Sequence, residues 1–402
     1  MHQSRHDGHV HYGAHLKSEW LLDPHVAYLN HGTVGAPPIR VLNERKRLLD
    51  EIEHQPAQFL LRELADIDAS GAPAVPRMRV AAERVAQFVG AKVDNLGFVD
   101  NATTGVNAVL RSFPFTAGDE LLYTSLGYGG VNHAVAYAAE RSGATTRVVT
   151  LPQPGAAASD YVAAIEEQLR AQTRMLIVDH ITSQTALVLP LREIATLCHQ
   201  HGVLVLADGA HAPGAIDLDV ESLGVDWYAA NLHKWAFTPR SSGFLWAAPE
   251  HHATLRPTVI SWGWKNGLAA EFDLLGTRDP TPWLVSGFAI DLYEEWGGHE
   301  ICQYNHSLVF TQAKRLAEAW GTSFATPEEL IGTMAYVSLP DAAGSSRADA
   351  VGLQAALLAE DHIEVPVFAD EGRLTCRLSA QIYNDARDFD RLMDAVIRRC
   401  EA

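Results

Sequence analysis

The sequence of 402 residues lacks the marks of several common protein classes. It holds only four cysteines, without a CxxC pair or a regular spacing, which argues against a disulfide framework or a structural zinc site and favours a reducing, cytoplasmic location. Basic side chains number 31 against 49 acidic ones, and the net charge of −18 argues against nucleic acid as a partner. No apolar run is long enough to cross a bilayer, so we expect no membrane partner.

Residues 1–25 also lack the apolar core of a signal peptide. Their polar and glycine-containing composition predicts a solvated N-terminal arm. The arm is rich in histidine, which leaves a metal-binding tail as the alternative. Its histidines are His2, His6, His9, His11 and His15. We predict no metal in the functional site itself.

Two further sequence signatures are missing. No strand-like run is followed by GxGxxG with an acidic residue about 20 positions later, which excludes the usual nicotinamide-dependent Rossmann enzyme. There is also no basic helix-turn-helix segment, which argues against a DNA-binding regulator.

Short apolar runs alternate with helical patterns through the middle of the chain. Strands that alternate with helices in this way predict an α/β fold with a mostly parallel, seven-stranded sheet covered on both faces. The runs are 96–99, 120–124, 146–151, 175–179, 203–207, 227–230 and 243–247. We assign them to a large domain that extends from residue 26 to residue 290.

The pattern changes beyond residue 290. A long helical pattern at 299–319 is followed by three strand-like runs at 334–339, 363–367 and 374–379. A second helical pattern lies between the first two of these runs, and another follows the last. This mixture predicts a small α+β domain over residues 291–402.

Polar side chains follow the strands of the predicted large sheet. Asp208 comes directly after one apolar run, and Lys234 follows the next run along the chain. A third run is followed by a helix start at Ala102 and Thr103. Because ligands of open α/β sheets bind outside the carboxyl ends of the strands, we expect these residues to share one site.

This set of residues is suited to pyridoxal 5'-phosphate (PLP). A partly desolvated lysine is neutral enough to form an imine, and a buried acid holds a ring nitrogen protonated. A helix N-terminus with hydroxyl groups binds a phosphate. Taken alone, Asp208 would be a turn residue, Lys234 a surface charge and Thr103 part of a capped helix start. Their combination predicts PLP, with Lys234 as the Schiff-base lysine and Asp208 as the partner of the pyridine nitrogen.

Six segments resemble the class V aminotransferase family of fold-type I PLP-dependent enzymes, and within it the isopenicillin N epimerase-like branch. They are Tyr28-Leu-Asn-His-Gly-Thr-Val-Gly, Asp100-Asn-Ala-Thr-Thr-Gly-Val-Asn, Val205-Leu-Ala-Asp-Gly-Ala-His-Ala-Pro-Gly, Asn231-Leu-His-Lys-Trp, Gly276-Thr-Arg-Asp-Pro and Arg377-Leu-Ser-Ala-Gln-Ile-Tyr-Asn. The resemblance spans residues 28 to 384, nearly the whole chain. It implies a fold-type I PLP-dependent transferase fold.

The resemblance also implies roles at the cofactor. Lys234 and Asp208 keep the catalytic roles given above, and His211 lies beside the O3' oxygen of the ring as a third catalytic residue. Further cofactor contacts come from residues around the phosphate and the ring. They are Ala102 and Thr103 at the phosphate, Asn231 and His233 as added donors, Tyr128 stacked on the ring, and Ser183 or Gln184 near O3' or the substrate.

Two implied roles concern partners. Arg377 matches the arginine that grips the carboxylate of an amino-acid substrate, and its planar fork suits that task. Thr277 matches a phosphate contact supplied by a second subunit. The resemblance therefore implies a homodimer with shared active sites and a small-molecule amino-acid substrate.

The remaining question is the reaction. Cysteine desulfurases of this family need a cysteine on a loop before the substrate arginine, and residues 341–375 contain none. Cys376 adjoins Arg377 on a predicted strand and therefore faces the other way. An amino-acid epimerase and a C–S lyase acting by β-elimination from an S-substituted cysteine remain, with a class V aminotransferase as the alternative. A non-catalytic binding protein with the PLP fold is the alternative of another class.

Overall fold

A computed structural model describes residues 11–65 and 75–401 of the chain. The histidines predicted to mark the arm at positions 2, 6 and 9 lie outside the described residues. The strands are β1 (Ala27–Tyr28), β2 (Leu96–Val99), β3 (Glu120–Thr124), β4 (Thr145–Val149), β5 (Thr173–Asp179), β6 (Leu204–Asp208), β7 (Trp227–Asn231), β8 (Gly243–Ala247), β9 (Met334–Ser338), β10 (Ile363–Glu364), β11 (Val367–Asp370) and β12 (Arg373–Ser379).

The helices surround these strands. They are α1 (His31–Val34), α2 (Ile39–His54), α3 (Pro56–Gln58), α4 (Arg77–Phe88), α5 (Ala102–Ser112), α6 (Gly129–Ser142), α7 (Ala158–Glu166), α8 (Leu191–Gln200), α9 (Leu268–Asp273), α10 (Thr281–Leu284), α11 (Ser286–Glu295), α12 (His299–Ala319), α13 (Arg347–Asp361) and α14 (Ala386–Glu401). Within the described part of the chain, no helix is both long enough and apolar enough to cross a membrane.

The central sheet has seven strands in the order β2-β8-β7-β6-β5-β3-β4. The pairs from β7 through β4 are parallel, and β8 is antiparallel to both of its neighbours. Every residue of β2, β7 and β8 is buried, which explains why these strands read as continuous apolar runs. The predicted α/β fold with a mostly parallel seven-stranded sheet is confirmed.

A glycine allows one helix to lie close to this sheet. A Cβ added to Gly105 in α5 would meet the Cβ of Ala229 in β7 at 2.8 Å. The helix that begins at Ala102 therefore approaches the strand that leads to Lys234 more closely than a side chain at this position would permit. This contact brings the helix start and the lysine to the same edge of the sheet.

The smaller sheet is antiparallel, in the order β11-β12-β9. Its apolar face packs on α12 and α14 in a separate core cluster, which the alternating pattern of β12 predicts. The single strand predicted for residues 363–367 is wrong. Pro366 interrupts it, because a proline has no N–H for a strand ladder, and the two halves join different sheets.

The segment before α2 ties the two parts of the structure together. β1 pairs in parallel with β10, and Leu29 N donates to Glu364 O. Gly35 then passes against the lysine loop at a φ of +67°, where an added Cβ would lie only 1.8 Å from the carbonyl oxygen of His233. The predicted domain boundaries after residues 25 and 290 stay predictions.

Candidate active site

Lys234 lies in the turn that follows β7. The turn is fixed by the N–H groups of Leu232 and His233, which both donate to the carbonyl oxygen of Ser242. The amine nitrogen of Lys234 reaches back into the sheet edge and lies 2.9 Å from Nε2 of His211. Burial, reinforced by the charge of Arg377, lowers the pKa of the lysine to about 7. Much of this amine is therefore neutral near neutral pH, as imine formation requires.

Asp208 ends the strand next to the one that leads to Lys234. Its carboxylate accepts a hydrogen bond of 2.9 Å from the N–H of Ala210, and the residue is almost completely buried. Burial raises the pKa of Asp208, and the nearby charge of Lys234 opposes that rise. A buried carboxylate of this kind gains most from a positively charged partner within the site.

Asp179 is a site residue without a predicted role. It ends β5 and is the register partner of Asp208 in the parallel pair β5–β6, so two buried carboxyl groups stand side by side. Burial and the charge of Asp208 raise the pKa of Asp179 well above its usual value. In the sequence, Asp179 is the last residue of the apolar run at 175–179. Its place at the end of a predicted strand could therefore have marked it as a site residue.

His211 completes the group around the amine. Its Nδ1 is buried without a hydrogen-bond partner in the described part of the chain. Burial lowers the pKa of His211 well below the usual histidine value, and the charge of Lys234 acts in the same direction. The imidazole is therefore neutral and lies beside the amine, and its predicted place near the O3' oxygen of the ring stays a prediction.

The start of α5 forms the candidate phosphate site. Asn101 caps the helix, with its side-chain oxygen accepting from Thr104 N at 2.9 Å. The N–H of Ala102 donates to Asn231 Oδ1 at 2.8 Å. In this arrangement the N–H of Ala102 holds the side chain of Asn231, and the phosphate contact predicted for Ala102 stays a prediction. Among the described residues, neither the first-turn N–H nor the hydroxyl of Thr103 has a hydrogen-bond partner, so both could bind an anion.

His233 follows Asn231, the residue that contacts this helix start, and one of its ring nitrogens is hydrogen-bonded. Its Nδ1 donates to the carbonyl oxygen of Ser242 at 2.9 Å. Burial lowers the pKa of His233 to about 4. Its Nε2 has no hydrogen-bond partner among the described residues, and the predicted place of His233 near the phosphate stays a prediction.

Arg377 reaches the site from the small sheet. It is buried, and its guanidinium donates to Ser183 O and, at 2.6 Å, to the hydroxyl of Thr33. Its Nε is buried without a partner among the described residues, and burial lowers its pKa to about 10. An incompletely paired, buried guanidinium is a suitable site for a substrate carboxylate. Sequence reasoning gave no role to Thr33, although it lies in one of the six family segments.

A cavity of about 480 Å³ opens beside Arg377, and we name it the Tyr128 cavity. Residues from four parts of the chain line it, including Tyr128, Gln153, Ser183, Gln184, Phe368 and Asp370. Tyr128 precedes α6 and is 48% exposed, so its ring is free to meet a ligand. Ser183 and Gln184 both line the cavity, and the choice between them therefore stays open.

The cysteines take no part in this site. Cys376 is buried on the face of β12 opposite to Arg377, as the alternation of the strand predicts, and burial raises its pKa to about 12. Cys302 contacts the hydroxyl of Tyr293 at 3.1 Å, and burial raises its pKa to about 11. Neither thiol is a reactive thiolate near the lysine.

One predicted contact lies elsewhere in the single chain. Thr277 is exposed and borders a different cavity, together with Leu61 and Trp262. The next residue, Arg278, lies 3.6 Å from Asp100, just before the helix start of the phosphate site. None of the residues lining that cavity is Lys234, Asp208 or His211. The contact from Thr277 to the phosphate of a second subunit stays a prediction.

The observed groups fit PLP. Asp208 would hold the pyridine nitrogen, Lys234 would bind the aldehyde carbon, and Thr103 with His233 would hold the phosphate. The unpartnered Nδ1 of His211 is a buried polar atom that a ligand within the site would satisfy. When bound, PLP supplies an electron sink that stabilises negative charge at the Cα atom of an amino acid.

Comparison with known proteins agrees with this site. A "Putative L-cysteine desulfhydrase 1" of Oryza sativa subsp. japonica is 34% identical, with 92% of this chain and 82% of that protein aligned. An "Isopenicillin N epimerase" of Amycolatopsis lactamdurans is 30% identical over 95% of this chain and 97% of its own. A solved complex of a cystine C–S lyase with cysteine persulfide shares the fold at a TM-score of 0.72 and 23% identity, covering 92% of this chain and 97% of that one.

These comparisons confirm the predicted resemblance and the fold-type I architecture. The prediction that the protein is either an epimerase or a C–S lyase is confirmed, since the relatives include both kinds of enzyme. The predicted enzymatic role and the predicted PLP cofactor are confirmed as well. The family model described as "Aminotransferase class-V" matches residues 43–392. The chain therefore belongs to the class V aminotransferase family.

Proposed function

We propose that the protein is a C–S lyase that splits the Cβ–S bond of an S-substituted cysteine. One observation carries this choice: Lys234 is a buried amine with a pKa of about 7, and the Tyr128 cavity has no amine, histidine or cysteine among its lining residues. The cavity adjoins the site at Ser183, which accepts from Arg377, and at Gly127, which lies against Asp179. β-Elimination needs one base at Cα and a sulfur leaving group. A single lysine meets that requirement.

The proposed reaction follows from the positions of these side chains. Arg377 binds the substrate carboxylate, which sets the Cα–H bond toward Lys234. The neutral amine of Lys234 takes the Cα proton, and the Cβ–S bond breaks with its electron pair on sulfur. The thiolate takes up a proton and leaves as a thiol. The released enamine adds water and gives pyruvate and ammonia.

His211 assists this proton transfer through its contact with the amine. Because the imidazole stays neutral, it adds no positive charge beside Lys234 that would further lower the basicity of the amine. Burial and the charge of Arg377 lower the pKa of the lysine, and the carboxyl groups of Asp208 and Asp179 oppose that fall. The lysine is therefore held near the pH at which it both accepts and returns a proton.

An amino-acid epimerase is the second candidate, and Tyr128 favours it. Epimerisation needs an acid on the face of the substrate opposite to Lys234, and the phenol of Tyr128 is the group at the cavity suited to that position. The identity to the isopenicillin N epimerase also supports this candidate. A class V aminotransferase stays the third possibility in the order predicted from the sequence.

One experiment separates these reactions. The PLP-loaded enzyme is incubated in deuterated water with a panel of cysteine S-conjugates and of other amino acids. Pyruvate together with a thiol supports the lyase. Recovered substrate with deuterium at Cα and inverted configuration supports the epimerase, and conversion of the cofactor to its amine form supports the aminotransferase. Lack of pyruvate from every S-conjugate would reject the proposed lyase.

We also propose a homodimer in which Thr277 completes the phosphate site of the other subunit. Exposed apolar side chains surround Thr277, notably Leu61 at 46% exposure and Trp262 at 81%. Such a patch favours association with a second copy. Co-expression of Lys234→Ala with Thr277→Ala tests this, since a mixed dimer regains one intact site if the sites are shared. No recovery of activity in the mixed dimer would contradict the proposal.

We also propose a cytoplasmic location, on the evidence of the cysteines. All four cysteines are free, and two of them are buried. Free thiols without a disulfide among them support a reducing compartment, and the cytoplasm is the one we propose.

A further inference from the structure

We infer that the sulfur substituent of the substrate carries a positive charge, which Asp370 binds at the far end of the Tyr128 cavity. The inference rests on the proposed function, and it names the class of S-substituted cysteine that the site takes. It concerns cations such as the ammonium group of S-(2-aminoethyl)cysteine.

The first support is the geometry of the small sheet. Arg377 in β12 is the register partner of Tyr336 in β9, so both side chains leave the same face of the sheet. The hydroxyl of Tyr336 donates to Asp370 Oδ2 at 2.6 Å. Asp370 is thereby held on the same face as the arginine that binds the substrate carboxylate. A substrate anchored at Arg377 extends its side chain along this face.

The second support is charge. Asp370 is the only charged side chain among the residues that line the Tyr128 cavity. Tyr336 occupies one of its carboxylate oxygens, and the other has no hydrogen-bond partner among the described residues. A carboxylate with one free oxygen in a recess attracts a cation and repels an anion.

Neighbouring charges do not cancel this preference. Asp370 also borders the adjoining cavity, together with Glu371 and Arg373, and Arg373 is its register partner in the β11–β12 pair. Neither Glu371 nor Arg373 lines the Tyr128 cavity, and no salt bridge joins Arg373 to Asp370 among the described residues. Both of these residues are exposed, and the carboxylate of Glu371 accepts from Gln153 Nε2 at 3.0 Å. Since the two side chains carry opposite charges at the exposed end of the sheet, solvent screens them more than it screens Asp370.

The third support is the aromatic lining. Tyr128 and Phe368 both border the cavity, and Tyr336 lies behind Asp370. The faces of aromatic rings attract cations, and this attraction grows when the cation loses water. A carboxylate flanked by rings is suited to an ammonium group, whereas an acidic substituent would lose its hydration without gaining a partner.

The test compares three substrates of similar size with the PLP-loaded enzyme. They are S-(2-aminoethyl)cysteine, S-propylcysteine and S-(carboxymethyl)cysteine, which carry a cation, no charge and an anion on the substituent. Pyruvate release gives kcat/KM for each. We expect the cation to exceed the neutral compound about tenfold or more and the anion to be the poorest substrate.

Asp370→Asn then tests the assigned residue, because asparagine keeps an acceptor for Tyr336 and removes only the charge. We expect the ratio of kcat/KM between cation and neutral compound to fall about tenfold. Glu371→Gln is the matched control, since it removes the adjacent carboxylate that lies outside the cavity, and the ratio should stay unchanged. An Asp370→Asn enzyme with an unchanged ratio would overturn the inference.

The outcomes also separate this inference from the proposed function. Equal pyruvate release from all three substrates would leave the lyase intact and reject the cation site. If no substrate gave pyruvate, the lyase would be rejected, and binding of the same three compounds would be measured by the shift of the visible cofactor band. Tighter binding of the cation that is lost in Asp370→Asn would still support the site, and equal binding would reject it.

Discussion

The amine nitrogen of Lys234 lies 2.9 Å from Nε2 of His211, so two buried bases share one hydrogen bond at the centre of the site. The imidazole stays neutral, because burial lowers its pKa well below the usual value. The lysine is then the group that changes charge near neutral pH. Two measurable properties of the protein depend directly on this lysine.

The first property is the pH dependence of cofactor capture. Only the neutral amine attacks an aldehyde, and burial lowers the lysine pKa from 10.5 to about 7. The rate at which the apoenzyme takes up PLP should therefore rise with pH up to about 7 and level off above it. Stopped-flow absorbance across a pH series measures this rate. A rate that rises steadily toward pH 10 would contradict the depressed pKa.

The second property is covalent attachment of the cofactor. Lys234→Ala should abolish turnover and leave a folded protein, because burial disfavours the charged form of this amine and its loss removes that desolvation cost. Borohydride reduction followed by peptide mass spectrometry should find the cofactor on Lys234 in the parent enzyme and nowhere in the variant. Lys92→Ala, at a solvent-exposed lysine, serves as the control and should keep the label. A labelled and active Lys234→Ala protein would eliminate the assigned lysine.

Arg377→Lys tests recognition of the substrate carboxylate. A lysine is a point charge and cannot replace the planar fork, so KM should rise by about 10- to 100-fold with a smaller change in kcat. The contacts to Thr33 and Ser183 would also be lost in part. Arg315→Lys, at an exposed ion pair with Asp390, is the matched control and should leave KM unchanged. An unaltered KM in Arg377→Lys would remove this role.

Asp226 offers a prediction about stability rather than activity. Its carboxylate accepts from His251, from His199 and from the N–H of Val205, far from the lysine at the other end of β7. Asp226→Asn should lower the free energy of unfolding by about 2–4 kcal/mol, because hydrogen bonds to charged groups contribute about 1.5–3 kcal/mol each. Denaturant unfolding measures the loss, and kcat should stay unchanged.

The same aspartate has a defined pH dependence. Burial raises its pKa, but the bonds from His251 and His199 outweigh burial and hold it below the ordinary value of 3.8. A depressed acid pKa stabilises the fold above the unfolded value and loses that effect as pH falls through the folded value. The stability difference between the parent protein and Asp226→Asn should therefore shrink in acid below pH 3.8. A constant difference there would contradict the assignment.

The strand-end residues were accessible from the sequence. Buried parallel strands read as short apolar runs, so Asp208 and Lys234 could be placed one after another at the same edge of the sheet. The alternation of β12 likewise predicted that Cys376 and Arg377 face opposite sides. These conclusions depend on local patterns, which the sequence carries directly.

Other parts of the site depend on pairing between distant segments. Tyr336 and Asp370 meet because of the register of an antiparallel sheet, and no local pattern specifies that register. The pairing of Ala102 with Asn231 joins residues 129 positions apart, and no local pattern indicates it. Asp179 was visible at its strand end, but its partnership with Asp208 required the strand order.

The parallel pair β1–β10 has a consequence for how the protein matures. Asn30 bonds to Glu364 across 334 residues, and the same segment carries Thr33 to Arg377 and Gly35 to the lysine turn. During synthesis, the ribosome therefore produces Lys234 and Asp208 long before the wall that encloses them is available. A cofactor that binds during synthesis would find this site still open on one side. The site closes only when the C-terminal segment with Glu364 and Arg377 packs against the N-terminal segment with Asn30 and Thr33.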